Sequence, residues 1–235
     1  MRQVPYLLIG SGRIAQHFQC YLDLLQLPYH SWSRKQNTPQ ELQSLAKICS
    51  PILLLISDKA IAEFIELYPF LREKLLVHCS GCLTVPGVPS AHPLMTFISG
   101  EGLDLARYQK IPFILSEEAP DLATLLPGLP NVAYRIPERL RPLYHALCVL
   151  SGNFTVILWQ KIFKEFEERL QIPATVAQPY LEQITRNLLA DPQKALTGPL
   201  VRDDQKTIDA NLRALENDPF QSLYHSFVET YRRSR

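Results

Sequence analysis

Three histidines and one asparagine are the side chains in this sequence best suited to moving a proton during a reaction. They are His78, His92, His145 and Asn153. Imidazole exchanges protons with a carbonyl or imine near neutral pH, and an amide can orient or polarise the same group. We expect His145 to be the proton donor, with the other three orienting a substrate. Each histidine alone also fits a structural role, since buried polar groups need partners in any case.

A glycine-rich turn near the N-terminus is the feature that could supply a second reactant. The apolar run 6–9 breaks into Gly10-Ser11-Gly12-Arg13-Ile14-Ala15 and leads into a helical pattern. Gly10 permits a tight turn, and Gly12 has no side chain to obstruct a pyrophosphate. The phosphates would lie at the start of the following helix, where free N–H groups and the helix dipole favour an anion. The sequence therefore predicts dinucleotide binding by Gly10, Ser11, Gly12, Arg13 and Ile14. The alternative is a strand–turn–helix that uses glycine only for packing.

The residues after the second predicted strand distinguish between two dinucleotides. NAD-binding sheets place Asp or Glu about 20 residues beyond the glycines, where the carboxylate accepts from the ribose hydroxyls. Here that neighbourhood is Trp32-Ser33-Arg34-Lys35, without a carboxylate. A guanidinium can hold a 2′-phosphate, so NADP(H) is favoured over NAD(H), with Ser33 and Arg34 as ligands. Alternatively, Arg34 and Lys35 are surface charges. Ser57, Asp58 and Ser80, after two later strands, complete the predicted cofactor-binding set.

The first 137 residues alternate strand-like and helix-like segments. The strand-like runs after the first are 29–33, 51–57, 75–79, 111–116 and 132–136. Amphipathic stretches at 39–48 and 58–71 lie between some of them. This alternation predicts an α/β, doubly wound and mostly parallel sheet. The segment 84–102, rich in Pro and Gly, is expected to be irregular, as active-site loops often are.

Helical periodicity replaces the strand signals from Pro137 onward. Predicted helices cover 138–150, 154–170, 177–189, 203–215 and 220–231. We therefore expect two domains, a dinucleotide-binding domain over 1–137 and an all-helical domain over 138–235 for substrate binding or dimerisation. Gly152 could break the first of these helices and bring Asn153 elsewhere. Asp203 or Asp204 is predicted to cap the helix that follows them.

Composition excludes several classes of protein. The 24 Lys and Arg nearly balance the 23 Asp and Glu, so no global field attracts nucleic acid or an anionic membrane. The longest aliphatic stretch, 52–56, is too short to cross a bilayer, and too few apolar residues precede the glycines for a signal peptide. We expect a cytoplasmic protein that binds a small-molecule substrate and neither nucleic acid nor a membrane.

The cysteines do not predict a disulfide framework or a metal site. Their odd number, 5, suggests free thiols in a cytosolic chain. The motif Cys79-Ser80-Gly81-Cys82 has the spacing of a redox or metal half-site. It lacks a second Cys or His pair and follows a strand instead of opening a helix. We therefore expect no metal.

The motifs together resemble one family of Rossmann-type proteins that have a helical C-terminal domain of unknown function and are described as NADP-dependent oxidoreductases. The matching pieces are Gly10-Ser11-Gly12-Arg13, His78-Cys79-Ser80-Gly81, His92-Pro93-Leu94, Tyr144-His145-Ala146 with Asn153, and Ala195-Leu196-Thr197-Gly198-Pro199. That family is similar to pyrroline-5-carboxylate reductase, ketopantoate reductase and the 6-phosphogluconate dehydrogenase group.

The resemblance implies a cofactor domain, a helical domain of the 6-phosphogluconate dehydrogenase C-terminal type that closes the cleft and often dimerises, and a site between them. Two positions depart from the family pattern. Arg202-Asp203-Asp204 stands where Arg-Gly-Asp is usual, and Gly152 precedes Asn153 where a larger residue is common. The expected function is NADP(H)-dependent hydride transfer to or from a small carbonyl or imine, in a homodimer. The alternative is a non-catalytic dinucleotide-binding sensor or scaffold.

Overall fold

Four parallel strands form the first sheet of the computed structural model, which describes residues 4–235. β1 (Tyr6–Ile9) lies between β2 (Tyr29–Trp32) and β3 (Ile52–Leu54), and β4 (Leu76–His78) pairs with β3. β1, β3 and β4 are buried along their whole length, which is why their sequences are apolar runs without polar alternation. The predicted parallel sheet is confirmed, although β3 is shorter than expected because Ser57 already caps the next helix.

Helices α1 (Arg13–Leu24), α2 (Pro39–Ile48) and α3 (Asp58–Leu67) follow β1, β2 and β3 and cover both faces of this sheet. Alternate residues of β1 enter two separate cores. Tyr6 and Leu8 pack in one core with apolar residues of α1. Leu7 and Ile9 pack in the other with apolar residues of α2 and α3. The doubly wound arrangement predicted from the sequence is therefore present.

A smaller sheet follows, with the strand order β5–β6–β7. β6 (Phe113–Ser116) and β7 (Ala133–Ile136) are parallel, and β5 (Ala91–Pro93) runs antiparallel to β6. The short helices α4 (Leu105–Gln109) and α5 (Leu122–Leu125) lie in the connections. β6 and β7 were predicted, whereas the expectation that 84–102 is wholly irregular is wrong. Three residues are too few for an alternation pattern to reveal β5, which is held by its pairing with β6.

From Glu138 onward every element is a helix, and turns join these helices. α6 (Arg141–Cys148) continues through a π-helical turn, Val149–Asn153, into α7 (Phe154–Glu168). α8 (Gln178–Ala190), α9 (Gln205–Ala214) and α10 (Phe220–Arg233) follow. Gly152 therefore does not break the helix but lies within a turn of the π type, which is closed by i→i+5 hydrogen bonds. Such turns occur frequently at functional sites.

The segment before α9 explains one departure from the family pattern. Asp203 has a φ of 52°, in the left-handed region where glycine is the most readily accommodated residue and Asp is tolerated. Asp204 is the N-cap, and its carboxylate accepts the Thr207 N–H at 3.1 Å. The predicted capping acid is thus Asp204, while Asp203 occupies the position at which the family usually has glycine.

The chain divides into two compact units, up to Val156 and from Ile157 onward. Strands end at Ile136, next to the boundary predicted at residue 137, whereas α6 belongs to the first compact unit. The helical stretch Glu138–Glu168 is long and apolar enough to cross a membrane by length and composition alone, and none of its most apolar window is buried. The expectation about a signal peptide rests partly on residues 1–3, which lie outside the described residues.

Candidate functional site

The turn after β1 has the backbone geometry of an anion site. Gly10 has a φ of 135°, and a Cβ there would lie 2.3 Å from the Leu55 carbonyl oxygen, so only glycine fits. A Cβ at Gly12, the N-cap of α1, would meet nothing within 4 Å. The helix has no side-chain cap and no acid in its first turn, so its first N–H groups are free to bind an anion. This open cradle fits a dinucleotide pyrophosphate and contains the predicted Ser11, Arg13 and Ile14.

The turn after β2 lies beside this cradle, because the Gly10 N–H donates to the Trp32 carbonyl at 2.9 Å. Ser33 is buried, and its N–H donates to Asn37 Oδ1 at 3.0 Å, which closes the turn. Arg34 and Lys35 are exposed, and neither forms an ion pair within residues 4–235. The unpaired guanidinium of Arg34 is suited to binding a 2′-phosphate. It is equally consistent with a solvated surface charge.

The ends of β3 and β4 are joined through two of the predicted cofactor residues. The Ser80 hydroxyl donates to Asp58 Oδ2 at 2.5 Å. The same hydroxyl oxygen accepts the Leu83 N–H at 2.9 Å and the Cys82 N–H at 3.3 Å, which shapes the loop after β4. Ser57 is exposed at the N-cap of α3. Ser80 therefore positions the loop, and its hydroxyl is fully engaged within the chain.

Two of the three candidate histidines meet over Gly81. A Cβ at Gly81 would lie 2.7 Å from His145 Nδ1 and 3.1 Å from His92 Nε2, so the two ring nitrogens face the same point. The ring centroids of His92 and His145 are 6.3 Å apart, with the rings perpendicular. His92 Nδ1 is 2.7 Å from the Tyr144 hydroxyl. The structure thus brings together residues of β5, α6 and the β4 loop that are far apart in sequence.

His78 lies beneath this cluster instead of within it. Its side chain is fully buried, and its Nδ1 accepts the Ser80 N–H at 3.2 Å. The pKa of His78 is lowered to about 4, mainly by burial and to a smaller extent by the Arg141 guanidinium, while Asp58 opposes the shift. Burial also lowers the pKa of His92 to about 4, with added contributions from His145 and Arg141 against Asp58. Both imidazoles are therefore neutral at pH 7.

The remaining candidates form no hydrogen bond with His92 or His145 within the described residues. Asn153 is exposed in the π-helical turn and makes no hydrogen bond to them in the described structure. Cys79 and Cys82 are free thiols, and burial raises the pKa of Cys79, which makes that thiol a poor nucleophile. Within residues 4–235, no group of three or more His, Cys, Asp or Glu side chains is placed to hold a metal ion.

Sequence reasoning missed three residues of this cluster, namely Gly81, Tyr144 and Arg141. Gly81 and Tyr144 belong to two of the family motifs, but a single sequence does not show that a glycine lies against two imidazoles. Arg141 is fully buried. The three buried side-chain atoms without a hydrogen-bond partner in the described part of the chain are His78 Nε2, Arg141 Nε and His145 Nδ1. Such atoms are rare and call for an explanation, and here they surround one short segment, since His78 and Arg141 hydrogen-bond to Ser80 and His145 lies against Gly81.

Comparisons with known proteins agree with this architecture. Residues 116–231 match the family described as "Domain of unknown function (DUF2520)". A "putative NADP oxidoreductase" of Bacteroides fragilis aligns over 98% of both chains, with a TM-score of 0.78 and 23% identity. A Thermotoga maritima protein aligns over 97% of both chains, with a TM-score of 0.63 and 21% identity. Plasmodium falciparum pyrroline carboxylate reductase, solved with NADP bound, aligns over 97% of this chain and 96% of its own, with a TM-score of 0.59 and 12% identity. No curated protein matches this sequence.

The two low histidine pKa values predict a loss of stability in mild acid. The unfolded chain binds protons on His78 and His92 below about pH 6.5, whereas the folded chain does not until about pH 4. Their contribution to the free energy of unfolding is therefore complete above pH 6.5 and is lost as the pH falls toward 4. By pH 5 the loss is about 2 kcal/mol per histidine.

Urea unfolding between pH 7.5 and pH 4.5 measures this effect. The double variant His78→Gln, His92→Gln should be less stable than wild type at pH 7.5 and should lose less free energy on acidification. The same pH slope in wild type and the double variant would show that other groups cause the acid sensitivity.

Proposed function

The chain is a Rossmann-fold protein with a DUF2520 domain, and from this architecture and the site over Gly81 we propose that it is an NADP(H)-dependent oxidoreductase. Its substrate would be a small carbonyl or imine compound. The neighbours support the class, because the Bacteroides fragilis protein is described as an NADP oxidoreductase, itself provisionally, and the Plasmodium falciparum protein is a reductase with NADP bound.

One observation carries the proposal. His92 Nε2 and His145 Nδ1 face a common point over Gly81, in the loop that follows β4. This loop is at the carboxyl edge of the parallel sheet, as is the cradle at Gly12, since β1, β3 and β4 run in the same direction. Ligands of open α/β sheets bind at this edge. Imidazole nitrogens and an anion cradle on one edge are what proton-coupled reduction requires.

Each part of the edge would have a separate task. The cradle at Gly12 would hold the pyrophosphate, and Ser33 and Arg34 would hold the 2′-phosphate. A bound nicotinamide supplies or accepts a hydride. Ser57 and Asp58 would border the cofactor where β3 ends.

The proton would be handled by the histidine pair. His145 Nδ1 is buried and has no hydrogen-bond partner within residues 4–235, so a substrate oxygen or nitrogen that reached it would complete its hydrogen bonding. His92, held by the Tyr144 hydroxyl, would orient the substrate with a neutral imidazole. The amide of Asn153 would help to orient the substrate, which it would have to reach from the π-helical turn.

Cofactor preference is tested at Arg34. NADPH and NADH binding to wild type, Arg34→Ala and Arg72→Ala is measured by fluorescence titration. Loss of a charge-assisted contact to the 2′-phosphate should weaken NADPH binding about 10- to 100-fold and leave NADH binding nearly unchanged. Arg72 is exposed and precedes β4, at the opposite edge of the sheet, and serves as the matched control. Equal NADPH affinity in wild type and Arg34→Ala would remove the argument for NADP(H).

Catalysis is tested by NADPH oxidation with a panel of keto acids, aldehydes and cyclic imines. Wild type should show steady turnover with at least one of them. His145→Ala should lower kcat about 10²- to 10⁴-fold with an unchanged dissociation constant for NADPH. His225→Ala, on α10, is the control and should keep wild-type kcat. Tight NADPH binding without turnover of any compound would support the sensor or scaffold alternative.

We propose further that the chain is a homodimer in the cytoplasm, joined through its helical segments. The unit from Ile157 onward has only three buried apolar residues, Ala177, Ile208 and Val228. Helices α7 and α8 contain no buried residue. A segment of this length needs a larger core for stability, and apolar faces of this extent mark a surface that something covers.

Exposed apolar side chains also recur in the first compact unit, on α6 and the turn after it. Leu143, Leu147 and Leu150 recur at helical spacing and are 56%, 55% and 55% exposed, and Phe154 continues the series at 45%. The formal net charge of the chain is only +1, so two copies would approach each other without strong repulsion. A second copy offers the same apolar helices and can cover them symmetrically.

Sedimentation velocity with a charge substitution tests this proposal. Wild type should sediment at twice the chain mass of 26.9 kDa, and Leu147→Glu combined with Leu150→Glu should shift it toward monomer. Leu67→Glu, at a leucine of α3 that is 66% exposed, should remain dimeric. A monomeric wild type at micromolar concentration, or a monomer that binds lipid vesicles through the same leucines, would overturn it.

A further inference from the structure

Arg141 is a buried cation without an anionic partner. Its side chain has no exposed surface. One terminal nitrogen donates to the Ser80 carbonyl and the Ser90 hydroxyl, both at 2.6 Å, and the other approaches the Ser116 hydroxyl at 3.5 Å. Nε has no partner. No carboxylate within residues 4–235 lies at salt-bridge distance from this guanidinium.

Burying a charge with only neutral acceptors is unfavourable, because the lost hydration is not repaid by an opposite charge. Arg141 also begins α6, and the positive end of the helix dipole is unfavourable for a cation. Stability alone therefore does not account for an arginine at this position. The guanidinium must serve an arrangement that an apolar side chain would not provide.

The hydrogen bonds of Arg141 join the segments that carry the histidine pair. Ser80 precedes Gly81 in the β4 loop, and Ser90 lies two residues before His92. The Ser90 hydroxyl also donates to the Ser80 carbonyl at 2.7 Å, so the three groups close a triangle. One helical turn beyond Arg141, α6 presents Tyr144 and His145, which contact His92 and face Gly81.

We propose that Arg141 is a positioning residue for the active site, which fixes Gly81 and the start of β5 relative to α6 so that His92 and His145 face one point. The effect of Arg141 on catalysis rests on the proposed function. Its role in positioning the two histidines rests on the geometry alone. The geometry is local, since every contact lies within the first compact unit.

The same guanidinium acts on the peptide between Ser80 and Gly81. Two donors on one carbonyl polarise the peptide unit, and polarisation strengthens the N–H at its other end as a donor. That N–H belongs to Gly81 and makes no hydrogen bond within the described residues. It is therefore a prepared donor beside the two imidazoles.

Electrostatics supports this role. Burial is the main cause of the low His92 pKa, and the neighbouring His145 and Arg141 add to it. The groups that face His92 are His145 and Tyr144 on α6, Arg141 at the start of α6, and Asp58 on α3, which opposes the shift. The cation thus helps to keep His92 neutral while it holds the loop.

The test uses Arg141→Met, which keeps the length and apolar body of the side chain, with Arg139→Met as the matched control at an exposed arginine. Side-chain ¹⁵N NMR titration reports the tautomer and pKa of His92 and His145, and amide spectra report Gly81. In Arg141→Met the His92 pKa should rise toward the ordinary histidine value and the Gly81 amide signal should shift. Both should stay at wild-type positions in Arg139→Met.

A second variant keeps the test decisive if Arg141→Met does not fold. Ser90→Ala removes one of the two short bonds, leaves the guanidinium buried, and should shift the same signals by a smaller amount. With a substrate in hand, either variant should lower kcat about 10- to 100-fold and change KM much less. A folded variant whose histidine and Gly81 signals match wild type would overturn the positioning role. The NMR result stands without any substrate, so it separates this inference from the proposed oxidoreductase activity.

Discussion

The parallel pairing of β1 with β2 on one side and β3 on the other determines where the candidate cofactor groups that follow these three strands lie. Parallel strands end at one edge of a sheet, so the turns after all three meet there. Gly10 is the tightest point, because the Leu55 carbonyl lies where its side chain would be. The turn after β1 consequently presents backbone amides and a helix start instead of a bulky side chain at Gly10. A surface of this kind attracts anions without a dedicated cationic pocket.

The β4–β5 connection obeys a different constraint, the need to satisfy buried polar groups. An isolated parallel bridge joins His78 to Ser90, and Gly81 lies in the loop between them. Three buried nitrogens remain unpaired there, on His78, Arg141 and His145, while the surrounding sheet core is apolar. Polar atoms that lack partners inside a well-packed unit are costly, and a bound ligand is one way to satisfy them. The unfavourable free energy of these unpaired atoms is therefore concentrated at the proposed catalytic site.

The sequence predicted the parallel sheet and the helices of the second half because both depend on local patterns. Continuous apolar runs mark β1, β3 and β4, and 3.6-residue periodicity marks α7 to α10. The cradle at Gly12 followed from a motif of known geometry. The histidine cluster could only be predicted as a set of candidates, because its members converge through pairings between distant segments. β5 is too short to recognise, and Arg141 gives no signal, since a surface arginine and a buried one are identical in a sequence.

The helices of the second half show a second property that a local sequence pattern does not predict, namely the surface against which a helix packs. Periodicity identifies an apolar face but does not say what covers it. In the first unit the faces of α1 to α3 are covered by the sheet. In the second, α7 and α8 have no buried residue, yet Lys161 is held between Glu165 and Asp218 at 2.7 and 2.5 Å. An ion pair that orders two segments without a core beneath them contributes little alone. Because hydrophobic burial is the dominant favourable term in folding, these exposed apolar faces are where the proposed second copy would add burial that a single chain does not supply.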